Sequence, residues 1–578
     1  MNPEIGTPDA ENLFKEFREV SVTEFFRKNK AHLGYSGKFR SLTTVIHELV
    51  TNSLDACEES GILPNIRVEI ERKGPDHYRF MERDNGPGIP LHHVPKVFGT
   101  MLAGTKFHRN IQLRGQQGIG VAGVTMFSQM TTGKPMLITT STGDGKIFEI
   151  ELMIDVAKNN ADIIEMKEYS EYGWSGTEVE GEIKGVQYTV SEYGPYEYLR
   201  RTALTNPHTQ ITFVDPEGRK TTFERSSSDI PRIPTEVKPH PKGVEVDDLV
   251  QMAKATKAKK VSSFLISDFS RISAKRVKEV QAKVSFDLHK SPKRLSWADC
   301  EQIINAFADK DDKSKEIKFL APESGKLIPI GEQRIRGAIL SVLEPEFQTV
   351  ITRSPKVHSG GVPFQVELAL AYGGNCGKRT KEEGRCMEIM RFANRAPLLF
   401  DTAGCGIAKA VKEVDWKRYD LKDFENLPVT IFVNVISTHI PYTSAGKQSI
   451  SDEDVIVKEI KMGLMELGRR FQTYHSRKIK AQERENRRKT LLKYITEVAP
   501  ALARITKKDE NKIYESLVEI IEEKSKEELE QDTEYIEPED DLSGAGDEMP
   551  EEIETPDDEE SLKKEKTKSA GIDTWIEE

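Results

Sequence analysis

The sequence contains no run of eighteen or more apolar residues, so it predicts no membrane-spanning helix. Its N-terminus, MNPEIGTPDAENLFKEF, is acidic and lacks the apolar core of a secretory signal. Cysteine is scarce, and neither a CxxC pair nor a zinc-finger spacing of Cys and His is present. The five cysteines are Cys57, Cys300, Cys376, Cys386 and Cys405. We therefore expect a cytoplasmic protein whose thiols are reduced and mostly buried.

The chain also lacks a uniform charge. Its net charge of −11 over 578 residues argues against simple attraction of the whole molecule to nucleic acid. From Glu519 onward acidic residues dominate, with runs such as EPEDD and PDDEE, whereas the rest of the chain is mildly basic. The acidic tail has few aromatic residues, so we expect it to be disordered. Local clusters of Lys and Arg in the body therefore remain candidates for nucleic-acid contacts.

The length is too great for one hydrophobic core, and changes in pattern divide the chain into five regions. A first α/β pattern ends at the Pro-rich connector DIPRIPTEVKPHPKG, and short helical segments without strands follow it. A second α/β pattern then precedes a long charged helix and the acidic C-terminal region. The predicted boundaries are 1–225, 226–310, 311–450, 451–500 and 501–578.

Hydrophobic periodicity predicts the main elements of these regions. We predict an amphipathic helix over residues 13–30 and a second helix, SLTTVIHELVTNSLDACEES, capped by Ser41. In the first α/β region the predicted strands are IRVEIER, HYRFMERD, MLITTST, KIFEIEL and GTEVEGEI. In the second they are PFQVELALAYGG, CMEIMRFAN and LPVTIFVNVIST, with DTAGCGIAKAVKEV as a helix.

The second predicted helix carries polar residues at helical spacing. Glu48 and Asn52 are four residues apart in HELVTNSLDA and project from one face, with Asp55 three further on. A carboxylate can take a proton from water, and an amide oxygen is a hard, neutral ligand suited to Mg²⁺. Taken alone, the pattern is more simply explained as a polar helix face.

Two glycine-containing turns follow. In DNGPGI, Asp84 precedes Gly86 and Gly88, so the backbone can pass close to a flat or charged group while the carboxylate accepts hydrogen bonds from an amino group. RGQQGIGV, from Arg114 to Val121, lies just ahead of a predicted helix and can offer backbone N–H groups to a polyphosphate. Each turn alone is a weak signal, and no GxxxxGK[ST] phosphate loop is present.

Together, and in this order, the three motifs resemble those of the Bergerat-fold (GHKL) ATPases, which include gyrase-type topoisomerases, heat-shock chaperones, MutL and histidine kinases. Gly176 and Thr177 begin a predicted strand where that superfamily has a Thr near the adenine. A histidine kinase would need a separate phosphoacceptor helix, and a chaperone of this class would carry a charged linker and a client-binding region, neither of which we find.

Over roughly residues 5 to 500 the chain resembles the B subunit of archaeal topoisomerase VI. The resemblance rests on HELVTNSLDA, RDNGPGIP, RGQQGIGV, MRFANRAPLLFD and IPYTSAGKQS, and on a WKxY match at DWKRYD. It implies an α+β multidomain fold: a Bergerat-fold α/β sandwich ATPase domain, a small helix–two-turn–helix domain, and an α/β transducer domain (ribosomal S5 domain 2-like). A long C-terminal helix and the acidic disordered tail complete it.

The resemblance also implies roles for the matching residues. Glu48 would be the general base, Asn52 would ligate Mg²⁺, and Asp84 would read the adenine amino group with help from Thr177. Lys447, on a loop of the second domain, would stabilise the γ-phosphate as a mobile point charge. The remaining residues expected to hold ATP are Gly86, Gly88, Thr105, Lys106, Arg114, Gly115, Gln116, Gln117, Gly118, Ile119, Gly120, Val121 and Gln448.

The partners implied are double-stranded DNA, a second copy of the ATPase domain when ATP binds, and a cleaving A subunit in an A2B2 assembly. Basic residues could contact DNA phosphates or form a solvated surface, and both readings stay open. The candidates are Lys254, Lys257, Lys259, Lys260 and Lys417, with Arg469, Arg470, Arg477, Lys478 and Lys480 on the long helix. The alternatives are an ATPase clamp of the chaperone or mismatch-repair type, or a module that binds ATP without hydrolysing it.

Overall fold

The computed structural model describes residues 21–104, 110–115, 118–170, 173–307, 317–379, 384–444 and 446–533. The chain falls into two compact units, Met1–Ser476 and Arg477–Glu578. Predictions for residues 13–20 and for the acidic tail beyond residue 533 lie outside the described residues.

The first α/β region is built on an eight-stranded sheet, and its five predicted strands begin and end within a few residues of the prediction. Its strands are β1 (Asn65–Gly74), β2 (His77–Arg83), β3 (Met136–Thr142), β4 (Lys146–Asp155), β5 (Asn160–Ser170), β6 (Ser175–Lys184), β7 (Gln210–Val214) and β8 (Lys220–Phe223). They pair in the order β5-β4-β3-β6-β2-β1-β7-β8. β1 and β7 are parallel, and the other pairs are antiparallel. The edge strand β5 was not predicted, because it is exposed on both faces and so shows no apolar alternation.

Helices pack on this sheet to form the first core. They are α1 (Val22–Lys28), α2 (Lys38–Glu59), α3 (Val94–Gly99), α4 (Gly120–Thr132) and α5 (Pro195–Thr205). Leu42, Val45, Ile46 and Leu49 of α2 are buried in one cluster with residues of the strands, so α2 lies directly against the sheet.

The prediction that Ser41 caps α2 is wrong. The helix begins three residues earlier, at Lys38. The residue before it, Gly37, has a positive φ and therefore lies outside the helix. The Ser41 hydroxyl lies in the first turn and donates to the carbonyl oxygen of Gly37 at 2.9 Å, so it bonds back into the helix instead of capping it.

A small helical region follows, as predicted. Its helices are α6 (Val246–Ala255), α7 (Val261–Asp268), α8 (Ala274–Gln281) and α9 (Trp297–Phe307). They enclose their own core, with Leu249, Phe264, Val280 and Ile303 fully buried. A capping box between Glu245 and Asp248 fixes the start of α6, which explains the sharp helix boundary after the Pro-rich connector.

The second α/β region forms a separate sheet. Its elements are α10 (Glu332–Leu343), β9 (Phe347–Thr352), β10 (Lys356–His358), β11 (Val362–Tyr372), β12 (Lys378–Arg379), β13 (Arg385–Cys386), β14 (Glu388–Ala393), β15 (Ala396–Pro397), α11 (Gly406–Lys412) and β16 (Val429–Ser437). The sheet order is β10-β11-β16-β14-β15, with β9 also paired to β11 and a separate β12–β13 ribbon. β11 is buried on both faces, so its sequence reads as a continuous apolar run.

The helix α12 (Asp454–Thr506) begins on this sheet and is longer than predicted. Its residues Ile456, Ile460, Leu464, Leu467 and Phe471 are buried in the core of the second region. In the second compact unit, the chain from Arg477 continues as helix, and α13 (Glu510–Thr533) follows. That helix includes residues from Glu519 onward, so the acidic segment is helical as far as Thr533.

All five cysteines are unbridged, and four of them are buried. Among the described helices, none combines the length and apolarity that crossing a membrane requires.

Glycine at position 468 allows α12 to pack closely on Tyr419, which lies in a short helical turn between α11 and β16. A Cβ atom on Gly468 would lie 2.6 Å from the ring of Tyr419, which is buried. We expect Gly468→Ala to lower the thermal midpoint, with a cost of about 1–3 kcal/mol for overpacking. Gly337→Ala in α10 is the matched control, because a Cβ there would meet open space and helix propensity alone should raise the midpoint. Equal shifts in the two variants would contradict the close contact.

Candidate functional site

The middle of α2 places its polar residues in the interior. Glu48, Ser53 and Asp55 are each at most 5% exposed. Asn52 is partly exposed, and its Nδ2 donates to the carbonyl oxygen of Glu48 at 2.5 Å. That bond leaves Oδ1 as the remaining polar atom of the amide, which is the atom type that Mg²⁺ prefers.

Glu48, Gly120 and Lys447 meet at one small cavity. The cavity is lined by Leu33, Tyr35, Glu48, Ile119, Gly120, Gly123 and Lys447. Nζ of Lys447 lies 3.9 Å from Oε2 of Glu48, although the two residues are far apart in the chain. A Cβ atom on Gly120 would lie 2.0 Å from the same Oε2, so any larger residue at 120 would displace the carboxylate.

The loop that carries Lys447 is held against the first region by two glycines. A Cβ atom on Gly446 would lie 3.0 Å from Cα of Gly34, which leaves no room for a side chain at this contact. The Lys447 backbone has φ of 50°, a left-handed conformation that is uncommon for a lysine, and its N–H donates to the carbonyl oxygen of Ser444. Residues held in such conformations cluster at active sites and ligand-binding segments.

Asp84 is the centre of a second group of contacts. Its Oδ2 accepts from the Ser53 hydroxyl at 3.0 Å, and its Oδ1 accepts from the backbone N–H of Gly86 at 2.7 Å and of Thr177 at 3.1 Å. Burial raises the pKa of Asp84, and these hydrogen bonds lower it again in part. Glu48 and Ser53 are five residues apart on α2, so the two groups of contacts are separated by about 7–8 Å along the helix axis.

Glycines allow backbone to approach backbone around Asp84. A Cβ atom on Gly88, which has φ of 70°, would lie 2.0 Å from the carbonyl oxygen of Ser141. One on Gly176 would lie 2.3 Å from the carbonyl oxygen of Asp84. The predicted Asp-x-Gly-x-Gly turn and the Gly176–Thr177 strand therefore form one continuous surface.

The glycine-containing loop leads directly into α4. The helix begins at Gly120 after Ile119, whose side chain provides no cap, so no described side chain caps the first N–H groups of α4. Gly118 has φ of 56°. Such a helix start attracts anions. Val121 lies in the first turn of α4, and Gln448 is buried beside Lys447 in the loop of the second region.

The structure gives Arg114 a different position from the one predicted. Its guanidinium is 2% exposed and is paired with Asp55 at 2.9 Å and with Glu58 at 2.7 Å, so the side chain is turned into the protein and not toward a phosphate site. Asp55 also accepts from the backbone N–H of Gly115 at 3.0 Å, which fixes the start of the loop on α2. The predicted ligands Thr105, Lys106, Gln116 and Gln117 lie outside the described residues.

Two contributors to the site were missed from the sequence. Ser53 follows Asn52 directly, and only the contact with Asp84, 31 residues away, shows its role in fixing that carboxylate. Tyr35 lines the Glu48 cavity and stacks on Phe127 at 4.5 Å between ring centroids. Burial, with a smaller contribution from Glu48, holds the pKa of Tyr35 well above its ordinary value, so the phenol stays neutral beside the carboxylate.

A metal at this site would depend on few protein ligands. Among the residues that the structure describes, no group of three or more His, Cys, Asp or Glu side chains could hold a metal ion. Mg²⁺ commonly binds through one or two protein oxygens plus substrate phosphates, so a single amide oxygen at Asn52 fits that ion better than a cage-forming metal.

The predicted DNA contacts are on the surface. Lys254, Lys257, Lys259 and Lys260 are all exposed at the end of α6 and in the turn before α7. Lys417 is exposed between Trp416 and Tyr419, which are buried. On α12, Arg469, Arg477, Lys478 and Lys480 are exposed and Arg470 pairs with Glu466. The exposure permits contact with DNA phosphates without establishing it, so these residues remain a prediction.

At one end of the site lie the Glu48 carboxylate, the Lys447 ammonium and the start of α4. At the other end lies the Asp84 carboxylate, whose orientation is fixed by hydrogen bonds. The first end suits an attacking water and a polyphosphate, and the second suits a flat heterocycle with an amino group. A nucleoside triphosphate has both features.

Comparisons with known proteins fit this geometry. A family described as "Topoisomerase VI B subunit, transducer" matches residues 322–487, and "Histidine kinase-, DNA gyrase B-, and HSP90-like ATPase" matches residues 37–156. The B subunit of type 2 DNA topoisomerase 6 from Pyrococcus horikoshii is 47% identical, covering 89% of this chain and 97% of the relative. The corresponding protein from Methanothermobacter thermautotrophicus, which carries the same name, is 47% identical, over 87% and 95%.

Among solved structures, the ATPase region of Saccharomyces cerevisiae topoisomerase II covers 80% of this chain and 99% of its own, with 11% identity and a TM-score of 0.40. That likeness is too low to bear on function.

His47, next to Glu48, gives the site a testable pH dependence. Its ring is buried, neither ring nitrogen has a hydrogen-bond partner among the described residues, and burial lowers the pKa of His47 to about 4. Below pH 6.5 His47 is protonated in the unfolded chain but stays neutral in the folded chain. The free energy of unfolding therefore falls between pH 6.5 and pH 4, by up to about 3 kcal/mol. We expect His47→Leu to flatten the fall of the thermal midpoint over this range. Parallel curves for the two proteins would contradict the buried, neutral histidine.

Proposed function

Because this chain belongs to the family of type 2 DNA topoisomerase 6 B subunits, we propose that it binds and hydrolyses ATP to drive the passage of one DNA duplex through another. The observation that carries the proposal is the meeting of Glu48, Gly120 and Lys447 at one cavity, since it joins a base, a phosphate-binding helix start and a cation from two separate α/β regions. We place this activity in the cytoplasm.

In the proposed site, Asp84 accepts a hydrogen bond from the adenine amino group. Ser53, Gly86 and Thr177 already occupy its other acceptor positions, so its orientation is set before ATP binds. The backbone from Gly115 to Val121 wraps the phosphates, with the N–H groups at the start of α4 directed at the anion. Thr105, Lys106, Gln116 and Gln117 complete this wrapping in the proposal.

Glu48 acts as the general base that orients the attacking water and takes its proton. Lys447, held by its left-handed loop within 3.9 Å of Glu48, is close enough to reach the γ-phosphate and stabilise the charge that develops there. Asn52 would hold Mg²⁺ through Oδ1, and that ion, when bound, supplies positive charge that neutralises the phosphates. Gln448 supports the loop from its buried position.

ATP binding then closes a gate. Two ATPase regions associate when nucleotide is bound, and the second α/β region relays the closure to A subunits in an A2B2 assembly. The A subunits cut both strands of one duplex, and a second duplex passes through the break, which relaxes supercoils and separates linked circles. ATP therefore acts by shifting the population from open to closed states. The exposed lysines of the helical region and Lys417 would hold the DNA in this scheme.

The alternative of a chaperone-like or mismatch-repair clamp is disfavoured. Such a clamp would share the ATP site, but the match to the transducer of topoisomerase VI B subunits covers residues 322–487, which include the loop of Lys447 and the second sheet. The presence of Glu48 beside Lys447 likewise argues against a module that only binds ATP.

Replacement of Glu48 tests its assignment as the base. We expect Glu48→Ala to reduce the rate of ATP hydrolysis by a factor of at least about 100, since general bases contribute roughly 10²–10⁴-fold. Nucleotide binding, measured with a fluorescent ATP analogue, should remain within a few-fold of the wild type, because the carboxylate acts on water. The partly exposed Glu59 on the same helix, changed to Ala, serves as the control for loss of a carboxylate. Normal hydrolysis by Glu48→Ala would refute the assignment.

Plasmid relaxation with and without a candidate A subunit tests the wider proposal. We expect ATP-dependent relaxation only when both subunits are present, because this chain supplies the ATPase and the partner supplies the cleavage. Agarose-gel analysis of supercoiled plasmid and a parallel phosphate-release assay measure the two activities. Hydrolysis without relaxation under any pairing would favour the clamp.

A further inference from the structure

A buried group of charges joins the ATP site to the second α/β region. Both oxygens of Glu58, at the end of α2, are engaged: Oε1 with Nη2 of Arg114 at 2.7 Å and Nε2 of His208 at 2.9 Å, and Oε2 with Nη2 of Arg395 at 2.7 Å. The other side of the Arg114 guanidinium contacts Asp55 at 2.9 Å. All of these side chains are at most 6% exposed.

Arg395 reaches this group from a rigid turn between β14 and β15. Both Asn394 and Arg395 have positive φ, of 47° and 67°. The N–H of Arg395 donates to Oδ1 of Asn434 at 3.1 Å, and its carbonyl oxygen accepts from the Thr205 hydroxyl at 2.7 Å. The backbone that carries the Arg395 guanidinium is therefore fixed, and the position of the guanidinium depends on the position of the second sheet.

The stretch just before the phosphate-binding loop is also attached to the second region by direct hydrogen bonds. Gln112 donates from Nε2 to the carbonyl oxygen of Ile328 at 2.9 Å and accepts from its N–H at 2.7 Å. Nδ2 of Asn394 donates to the carbonyl oxygen of Leu113 at 2.9 Å. Residues 112 and 113 therefore contact the second region one after the other, immediately ahead of Arg114 and Gly115.

The charges of this group balance. Two carboxylates, Asp55 and Glu58, face two guanidiniums, Arg114 and Arg395. Burial alone would raise the pKa of Glu58, but the two arginines outweigh it and hold that pKa well below its ordinary value. Buried ion pairs of this kind contribute little net stability compared with apolar side chains of the same size, so stability alone does not account for them.

We propose that Glu58 and Arg395 are positioning residues that fix the phosphate-binding loop to the second α/β region through Arg114. This inference rests on the proposed function. Gly115 follows Arg114 and donates its N–H to Asp55, so a displacement of the second region shifts the start of the loop relative to α2, which carries the general base Glu48. The link acts in both directions: nucleotide in the loop biases the position of the second region, and partners bound to that region alter ATP hydrolysis.

The test uses four variants of the full chain: Arg395→Gln, Glu58→Gln, the double variant, and Arg391→Gln as control. Each single change within the group leaves a buried charge uncompensated and should lower the thermal midpoint. The double variant again has equal numbers of buried positive and negative charges, with Asp55 facing Arg114. Its thermal midpoint should therefore return most of the way to the wild-type value. Arg391 is an equally buried arginine of β14 that donates to Phe400 and Thr402 and does not contact this group, so its loss should reduce stability alone.

Two measurements separate positioning from stability. Hydrogen exchange of the amides of residues 110–115 should be faster than wild type in Arg395→Gln and in the double variant, and unchanged in Arg391→Gln. The increase of kcat for ATP hydrolysis on adding DNA and a candidate A subunit should fall about 5- to 10-fold in the same two proteins, with KM for ATP little changed.

The proposal would be overturned if the double variant recovered not only its thermal midpoint but also the wild-type rate of hydrogen exchange and the full stimulation of ATP hydrolysis. The charged group would then serve stability only. The exchange measurement needs no nucleotide. If wild-type protein failed to hydrolyse ATP, the proposed function would fail, and exchange would still decide whether Arg395 positions the loop.

Discussion

A carboxylate buried in a protein has to be compensated, and α2 buries three of them in eleven residues: Glu48, Asp55 and Glu58. Each of the three finds its cation outside the helix. Glu48 lies near Lys447, Asp55 takes Arg114 and the N–H of Gly115, and Glu58 takes Arg114 and Arg395. Because each partner comes from a distant segment, the helix buries its charges only when the loop and the second region are both in place.

This constraint explains which parts of the site could be predicted from the sequence. Glu48, Asn52, Asp84 and the glycines lie in short local motifs, and the chemistry of each motif is visible in a few adjacent letters. Five of the eight strands of the first sheet and three of the six of the second were also predictable, because strands such as β1, β6 and β11 show their burial as alternation or as a continuous apolar run.

Contacts between distant segments were not predictable in the same way. Arg114 sits in a glycine-rich loop that resembles a phosphate cradle, and only the presence of Glu58 and Asp55 behind it shows why its guanidinium turns inward. Arg395 and Ser53 lie within MRFANRAPLLFD and HELVTNSLDA, but neither string shows that Arg395 pairs with Glu58 or that Ser53 bonds to Asp84. The edge strand β5, exposed on both faces, lacks the periodicity that identifies a strand, and the true start of α2 depended on the backbone of Gly37 more than on any cap.

The second region holds α2 at two places. Its Lys447 loop contacts Glu48 near the middle of the helix, and its Arg395 turn contacts Glu58 at the end, ten residues and about 15 Å further along the axis. Both the loop and the turn have left-handed backbone, so neither yields easily to a side-chain adjustment alone. Two rigid contacts at this separation define an orientation as well as a distance. The second region therefore cannot pivot about one of them without disturbing the other, and for that reason the position of the cation beside the base and the position of the phosphate-binding loop are bound to change together.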